Sequence, residues 1–331
     1  MLLNNSKTGT QSPAADRIEK SKMEKQGVSV MNKIVKYEGN PILTNKDVPF
    51  RVNSIFNAGA VKIGDRYLLL CRTEMPDGRS SFTLAESTDG IKFIVSEKPC
   101  LTPRDHKDFF EYVEWGIEDP RIIPIDGSYY ITYTGYSQYQ PLVMLAETND
   151  FKSFIVHGPI SEPSNKDCSF FPEKIDGYYW KVDRPSAGNR KDIWISKSPD
   201  LIHWGSPRVL MMPLPGTWEA DKIGSSSNPV RTEEGWLMLY HGVREFPASS
   251  IYKLGVVLLD LEKPWVVKGR SREPIIFPDH NYERTGDVMN VVFSNGWISE
   301  PDGKIKIYYS GADTNVSLAV TSKEYLVSLC I

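Results

Sequence analysis

Asp126-Gly127-Ser128-Tyr129-Tyr130-Ile131-Thr132-Tyr133 is the stretch that decides the fold. An Asp-Gly turn feeds a run of aromatic and β-branched residues, the side chains that suit a pleated strand. The phrase recurs as Gly64-Asp65 into Tyr67 to Cys71, Asp176-Gly177 into Tyr178 to Val182, Glu234-Gly235 into Trp236 to Tyr240, and Asp302-Gly303 into Ile305 to Tyr309. A second strand follows each copy, at 82–86, 143–147, 192–196, 254–259 and 316–320. Three of these end in similar turns, Ser87-Thr88-Asp89-Gly90, Thr148-Asn149-Asp150-Phe151 and Ser198-Pro199-Asp200-Leu201. Copies about 50–70 residues apart match a four-stranded blade with its loops, and helix-period segments are scarce. The reading is all-β, a five-bladed β-propeller; a long sandwich would not explain five copies of one phrase.

The chain has 331 residues, 40% of them apolar and 11% aromatic, enough for a substantial core, and no domain boundary is visible after residue 35. Residues 31–331 are therefore read as one catalytic propeller. Residues 1–30 are polar, lack the apolar core of a signal peptide, and are expected to be a disordered extension. Asp16, Glu19 and Glu24 argue against a mitochondrial presequence. A net charge of -3 gives no attraction for nucleic acid or membrane, and no apolar run approaches the ~20 residues of a membrane span. Cys71, Cys100, Cys168 and Cys330 show no C-x-x-C spacing, and the five histidines form no metal-ligand pair. The expectation is a cytoplasmic protein with no metal and no cofactor.

Blades gather residues distant in sequence around one axis. Polar candidates at the inner-strand ends are Asn53, Ser54, Asn57 and Arg72; Asp119 and Arg121; Lys166, Asp167, Glu173 and Arg184; Asp221, Lys222, His241 and Tyr252; and Asp313. Within Trp115-Gly116-Ile117-Glu118-Asp119-Pro120-Arg121-Ile122, Pro120 biases Asp119 toward extended backbone, which would turn Asp119 and Arg121 to one face. Lys166, Arg184, His241 and the Tyr252 phenol are donors that together would hold an oxyanion. Taken singly, Lys166 reads equally as a solvated loop charge, Arg184 as half of an ion pair and His241 as a buried, satisfied histidine. Trp115, Tyr136 and Trp218 could floor a sugar site or fill the core.

Asn53-Ser54-Ile55-Phe56-Asn57-Ala58-Gly59, Glu118-Asp119-Pro120-Arg121, Phe171-Pro172-Glu173-Lys174-Ile175, Asp183-Arg184-Pro185, Lys222-Ile223-Gly224, Tyr240-His241-Gly242-Val243 and Leu259-Asp260-Leu261 with Pro264-Trp265 resemble, in that order, glycoside hydrolase family 130. These are the β-mannoside phosphorylases, and the likeness runs from about Asn40 to Thr321. It implies a five-bladed propeller around a mannose site. The implied reaction is reversible, inverting phosphorolysis of a β-mannoside (mannobiose, a mannooligosaccharide, or mannosyl-glucose or mannosyl-N-acetylglucosamine) to α-mannose 1-phosphate. By the resemblance Asp119 is the general acid, its proton passing through the mannose 3-hydroxyl. Phosphate falls to Lys166, Arg184, His241 and Tyr252, and sugar contacts to Asn53, Ser54, Arg72, Lys222 and Asp313, with Arg121 also counted as substrate-binding. Lys166 stands where some members carry arginine. Inorganic phosphate is then the co-substrate, and homo-oligomers are common among such proteins.

The chemistry agrees with that assignment. An inverting hydrolase needs a second carboxylate to activate water, whereas phosphate is already an anionic nucleophile that needs only to be held in line. Asp119 would have to stay protonated near neutrality, its pKa rising from ~3.9 to about 7, which is about 4 kcal/mol in favour of the neutral form. A nearby Arg121 would oppose this unless it turned aside to a structural partner. The alternatives are a β-mannosidase on the same scaffold and a non-catalytic sugar-binding propeller. Linkage and acceptor choice are expected to lie in loops 74–79, 103–114 and 244–251.

Overall fold

The repeated turns close as their residues require. Asp126 and Gly127 have φ 50 and 89, and Asp176 and Gly177 have φ 52 and 77, the paired positive values that let a two-residue loop follow the twist of its strands. In the computed structural model, which describes residues 33–186 and 191–331, each such turn joins the first two strands of a meander. The expected extension at residues 1–30 lies outside the described residues.

After β1 (Val35–Lys36), the first meander is β2 (Ser54–Ile63), β3 (Arg66–Glu74), β4 (Ser80–Ser87) and β5 (Ile94–Val95). The second is β6 (Gly116–Ile125), β7 (Ser128–Tyr136), β8 (Leu142–Thr148) and β9 (Ile155–Pro159), joined to the first by one parallel bridge, Ser80 to Gly116. Next come β10 (Asn165–Phe170), β11 (Tyr179–Pro185), β12 (Ile193–Ser198) and β13 (Gly205–Met211). β14 (Lys222–Ser225) and β15 (Val230–Arg231) both pair with β16 (Trp236–Phe246), followed by β17 (Ser249–Leu259) and β18 (Val267–Arg270). The last sheet is β19 (Val292–Ser299), β20 (Lys304–Gly311) and β21 (Asn315–Ser322), and β1 completes it by pairing Val35 with Val320. Two short helices, α1 (Asn281–Arg284) and α2 (Lys323–Ser328), flank that sheet. The fold is all-β.

Strand alternation buries both faces of each sheet. Leu68 and Leu70 enter a cluster shared with Ile122 and Ile131 of the second meander, while Tyr67, Leu69 and Cys71 enter one shared with Tyr308 and Leu318 of the fifth. Three further clusters join the second sheet to the third, the third to the fourth and the fourth to the fifth. Each sheet thus packs on its neighbours in chain order, and the last packs on the first. Burying each such aliphatic side chain contributes roughly 1.5–3 kcal/mol. Where inner strands meet there is no room for a Cβ: one added at Gly296 would lie 2.4 Å from the Ala60 nitrogen.

The three similar turns share one hydrogen-bond pattern. The Asp89, Asp150 and Asp200 carboxylates each accept two backbone N–H groups ahead of them, and these bonds lead the pull that holds all three pKa values below the ordinary carboxylate range.

Candidate active site

Four of the inner strands share one irregularity. Pairing breaks between Phe56 and Gly59 in β2, Glu118 and Arg121 in β6, Lys166 and Ser169 in β10, and Phe293 and Gly296 in β19. In each, two residues oppose one, a β-bulge. Asn57, Asp119 and Asp167 stand in these bulges with φ 44, 57 and 58, left-handed backbone that Asn and Asp tolerate better than most residues. The expectation of an extended Asp119 is therefore corrected: the bulge, not Pro120, sets its backbone. It also breaks the alternation that would have aimed Asp119 and Arg121 together.

The Asp119 carboxylate faces the first meander. Its Oδ1 accepts from Asn57 Nδ2 at 2.8 Å and from Arg72 Nη1 at 3.2 Å. Arg72 also donates to Glu118 Oε1 at 2.9 Å and to Ser80 Oγ at 2.8 Å, and its guanidinium lies over the Phe56 ring. Burial pushes the Asp119 pKa up, but Arg72 and then Lys166 and Arg121 pull it down further, so the carboxyl lies below its ordinary value. The pKa rise expected for a general acid is not found; the shift runs the other way.

Arg121, expected among the substrate-binding residues, takes another place. It is 1% exposed and donates to the Ser226 carbonyl at 2.8 Å, the Ser225 carbonyl at 3.0 Å and the Asp119 carbonyl at 3.0 Å. Its guanidinium ties β6 to β14 and fixes the Asp119 backbone, its donors committed to three carbonyls and to Asp167.

A group of basic side chains gathers beside the carboxylate, around Asp167. Arg184 Nε lies 2.6 Å from Asp167 Oδ2, Arg121 Nη2 is 3.5 Å from Oδ1, and His241 Nε2 is 3.6 Å from Oδ2. Despite its burial, Asp167 is held well below the carboxylate range by the charges of Arg184, Arg121 and Lys166. Lys166 is paired in register with Arg184 and reaches Glu118 Oε2 at 3.8 Å, which links this group to the Asp119 side. Gly224 leaves the space that this contact needs: a Cβ there would lie 2.5 Å from both Asp167 Oδ2 and His241 Cε1.

His241 is neutral here, not a member of a cation triad. Burial carries its pKa down to about 3 against the upward pull of Asp167. Lys222, expected among the sugar contacts, lies instead with the cations: its Nζ donates to the Tyr252 hydroxyl at 2.5 Å, and burial followed by Arg184 lowers its pKa to about 8. The Tyr252 ring stacks on His241 with centroids 6.2 Å apart. Asn53 is exposed at the rim, donating to Glu74 Oε1 at 2.9 Å, and Ser54 is buried at the start of β2. Glu173 is not with them; it pairs with Arg231. Trp218 is core, packed on Tyr240, whereas Trp115 and Tyr136 are exposed.

Glu118 was missed as a site residue although it sits within the quoted motif; the signal was its place between two basic partners, visible only once Arg72 and Lys166 converge on it. Asp279, His280 and Glu283 also lie together, but the Lys36 ammonium sits among them, 2.7 Å from Glu283 Oε1, and fastens β1 to α1.

Asp313, in the β20–β21 turn, feels Arg72, Asp119 and Glu118. Burial, aided by the two carboxylates and opposed by Arg72, raises its pKa to about 7. A raised folded-state pKa gives stability that is full below the unfolded value near 4 and is lost as pH rises through about 7. Asp313→Asn is therefore expected to gain stability relative to the parent protein by about 2–3 kcal/mol between pH 5 and pH 8. Melting curves of both proteins at the two pH values check this; parallel curves would contradict it.

A family model described as beta-1,4-mannooligosaccharide phosphorylase matches residues 21–331. The chain is 35% identical over 301 residues to a 1,2-beta-oligomannan phosphorylase of Thermoanaerobacter sp., covering 88% of this chain and 97% of the relative. It is 34% identical over 302 residues to a beta-1,4-mannooligosaccharide phosphorylase of Ruminococcus albus, covering 89% and 90%. The structure superposes on a beta-1,2-mannobiose phosphorylase of Listeria innocua with TM-score 0.82 and 31% identity, over 89% of this chain and 98% of that one. No helix among the described residues is long and apolar enough to cross a membrane. The chain belongs to glycoside hydrolase family 130, the β-mannoside phosphorylase family.

Proposed function

We propose that this protein is a cytoplasmic β-mannoside phosphorylase, a hexosyltransferase built on a single five-bladed β-propeller of residues 31–331, with the five meanders as its blades. The observation that carries the reading is the charge arrangement of the site. Arg72, Arg121, Lys166, Arg184 and Lys222 outnumber the carboxylates of Glu118, Asp119 and Asp167 by two, and that excess is the complement of a phosphate dianion.

In this reading mannose lies between Asp119 and the cations. Lys166, Arg184, Lys222 and the neutral donors His241 and Tyr252 hold phosphate on the face opposite the leaving group, and Arg72, Ser54 and Asp313 position the sugar. Phosphate attacks the anomeric carbon, the glycosidic bond breaks, and the leaving oxygen takes a proton originating on Asp119, so the β-mannoside gives α-mannose 1-phosphate. Asp119 must first be protonated. A phosphate dianion beside Lys166 offsets one of the charges that lower its pKa, and the sugar excludes water; both effects favour the neutral acid. Hydrolysis would need a second carboxylate available to water. Glu118 is paired with Arg72 and Lys166, Asp167 is enclosed by Arg184, Arg121 and His241, and Asp313 sits with Arg72 and Asp119 on the acid's side instead of among the cations.

The reverse reaction tests the proposal and sorts acceptors at once. Mannose 1-phosphate supplied with mannose, glucose, N-acetylglucosamine and short β-1,2- and β-1,4-mannooligosaccharides is expected to release inorganic phosphate with at least one of them. Phosphate release with none would refute it.

A further inference from the structure

Asn57, Asp119, Lys166 and Lys222 lie near the starts of their strands, and Arg72 and Arg184 near the ends of the strands paired with them, so residues just before the former, and at the ends of the latter, form the mouth. On the second meander that mouth is aromatic. Trp115 immediately precedes β6, and its N–H donates to the carbonyl of Tyr136, the last residue of β7, at 2.9 Å. The two rings meet edge to face with centroids 5.4 Å apart, yet remain 45% and 37% exposed. Tyr139, 49% exposed, leans on Tyr112 at 5.6 Å. With Phe110, segments 110–115 and 136–139 carry four of the eight exposed aromatic side chains among the described residues. A concentration of exposed apolar rings on a small surface marks a binding site more often than chance.

This lip touches the chemistry on both sides. Gly116, next to Trp115, is bridged to Ser80, whose Oγ accepts from the Arg72 guanidinium that holds Glu118 and Asp119. At the other end the Pro141 carbonyl accepts the N–H of Asn165, the neighbour of Lys166. Trp115 is four residues before Asp119, about 13 Å along a strand at ~3.3 Å per residue, farther than one pyranose ring reaches. In the phosphorylase reading the transferred mannose lies between Asp119 and the cations, so what extends outward from Asp119 is the leaving group.

We propose that Trp115 and Tyr136, with Tyr139, form a distal subsite that stacks against a sugar of the leaving saccharide beyond the one bonded to the transferred mannose, making a β-mannooligosaccharide of three or more units a better substrate than a disaccharide. The rings offer flat faces to the C–H patches of a pyranose and hold it at little entropic cost because they already brace one another. The inference rests on the phosphorylase reading. It is tested by kcat/KM for phosphorolysis of mannobiose, mannotriose and mannotetraose by the parent protein, Trp115→Ala, Tyr136→Ala and Trp115→Phe. The parent is expected to favour the trisaccharide over the disaccharide by about tenfold. That ratio should fall toward one in the alanine variants, through KM, and largely survive in Trp115→Phe. An equal rate on di- and trisaccharide in the parent, or a ratio unmoved by both alanine variants, would overturn the subsite. Absence of mannose 1-phosphate from every chain length would instead refute the phosphorylase reading. The subsite is then judged by titrating mannotriose and following intrinsic fluorescence: a change present in the parent and missing from Trp115→Phe supports it, and identical responses overturn it.

Discussion

Asp119→Asn is expected to lower kcat for phosphorolysis by about 10³-fold, within the 10²–10⁴-fold that a positioned general acid supplies, while changing KM for the mannoside only a few-fold. The asparagine carbonyl can still accept from Asn57 and Arg72, the two donors that hold Oδ1 at 2.8 and 3.2 Å, and Arg72 keeps Glu118 as its charged partner. The site geometry should therefore survive, and the loss should appear in the chemical step. A substrate whose leaving group departs without a proton, such as a nitrophenyl β-mannoside, should be far less affected. Undiminished turnover on mannobiose, or equal losses on both substrates, would remove Asp119 from the acid's role.

Arg184→Ala is expected to have two separable effects. One is on the nucleophile: losing a charge-assisted hydrogen bond of ~1.5–3 kcal/mol should raise the KM for phosphate by about 10–100-fold. The other is on the fold. Asp167 is 2% exposed and leans on Arg184 at 2.6 Å, so removing the arginine leaves a buried carboxylate with only the longer Arg121 contact at 3.5 Å and should destabilise the protein by about 3 kcal/mol. Adding Asp167→Asn should restore much of the stability and the net charge of the site, whereas the hydrogen bond from Arg184 to phosphate stays lost and the KM for phosphate stays above that of the parent. Initial rates over a phosphate series, with melting curves of the single and double variants, separate the two. An unchanged phosphate dependence would place Arg184 outside the pocket.

Much of the architecture was legible because it is encoded locally. The five turn-and-strand phrases fall on β3, β7, β11, β16 and β20, and the second strands on β4, β8, β12, β17 and β21, since turns such as Asp126-Gly127 and Asp176-Gly177 need only their own backbone angles. Local rules also set the limit. Nothing in Glu118-Asp119-Pro120-Arg121 announces a bulge; it forms where four inner strands carry one residue more than the strands beside them. The convergence of Asp119, Lys166, Arg184 and His241 was inferred by gathering segments around an axis, but their electrostatics were not. Asp119 is held ionised by Arg72, 47 residues away in sequence, and Arg121 is drawn to carbonyls 104 and 105 residues away. His241 loses its proton to burial, a quantity fixed by packing across sheets. Lys222 joined the cations for the same reason: β14 brings it to Tyr252 of β17 through their shared neighbour β16.

The most direct measurement of the central claim is time-resolved ¹H and ³¹P NMR of β-1,2- and β-1,4-mannobiose with the enzyme, with and without inorganic phosphate. Phosphorolysis at this site predicts α-mannose 1-phosphate accumulating in step with free mannose from the leaving side, and no consumption of disaccharide when phosphate is left out. Consumption at the same rate without phosphate, yielding only mannose, or a β-configured phosphate product, would contradict it.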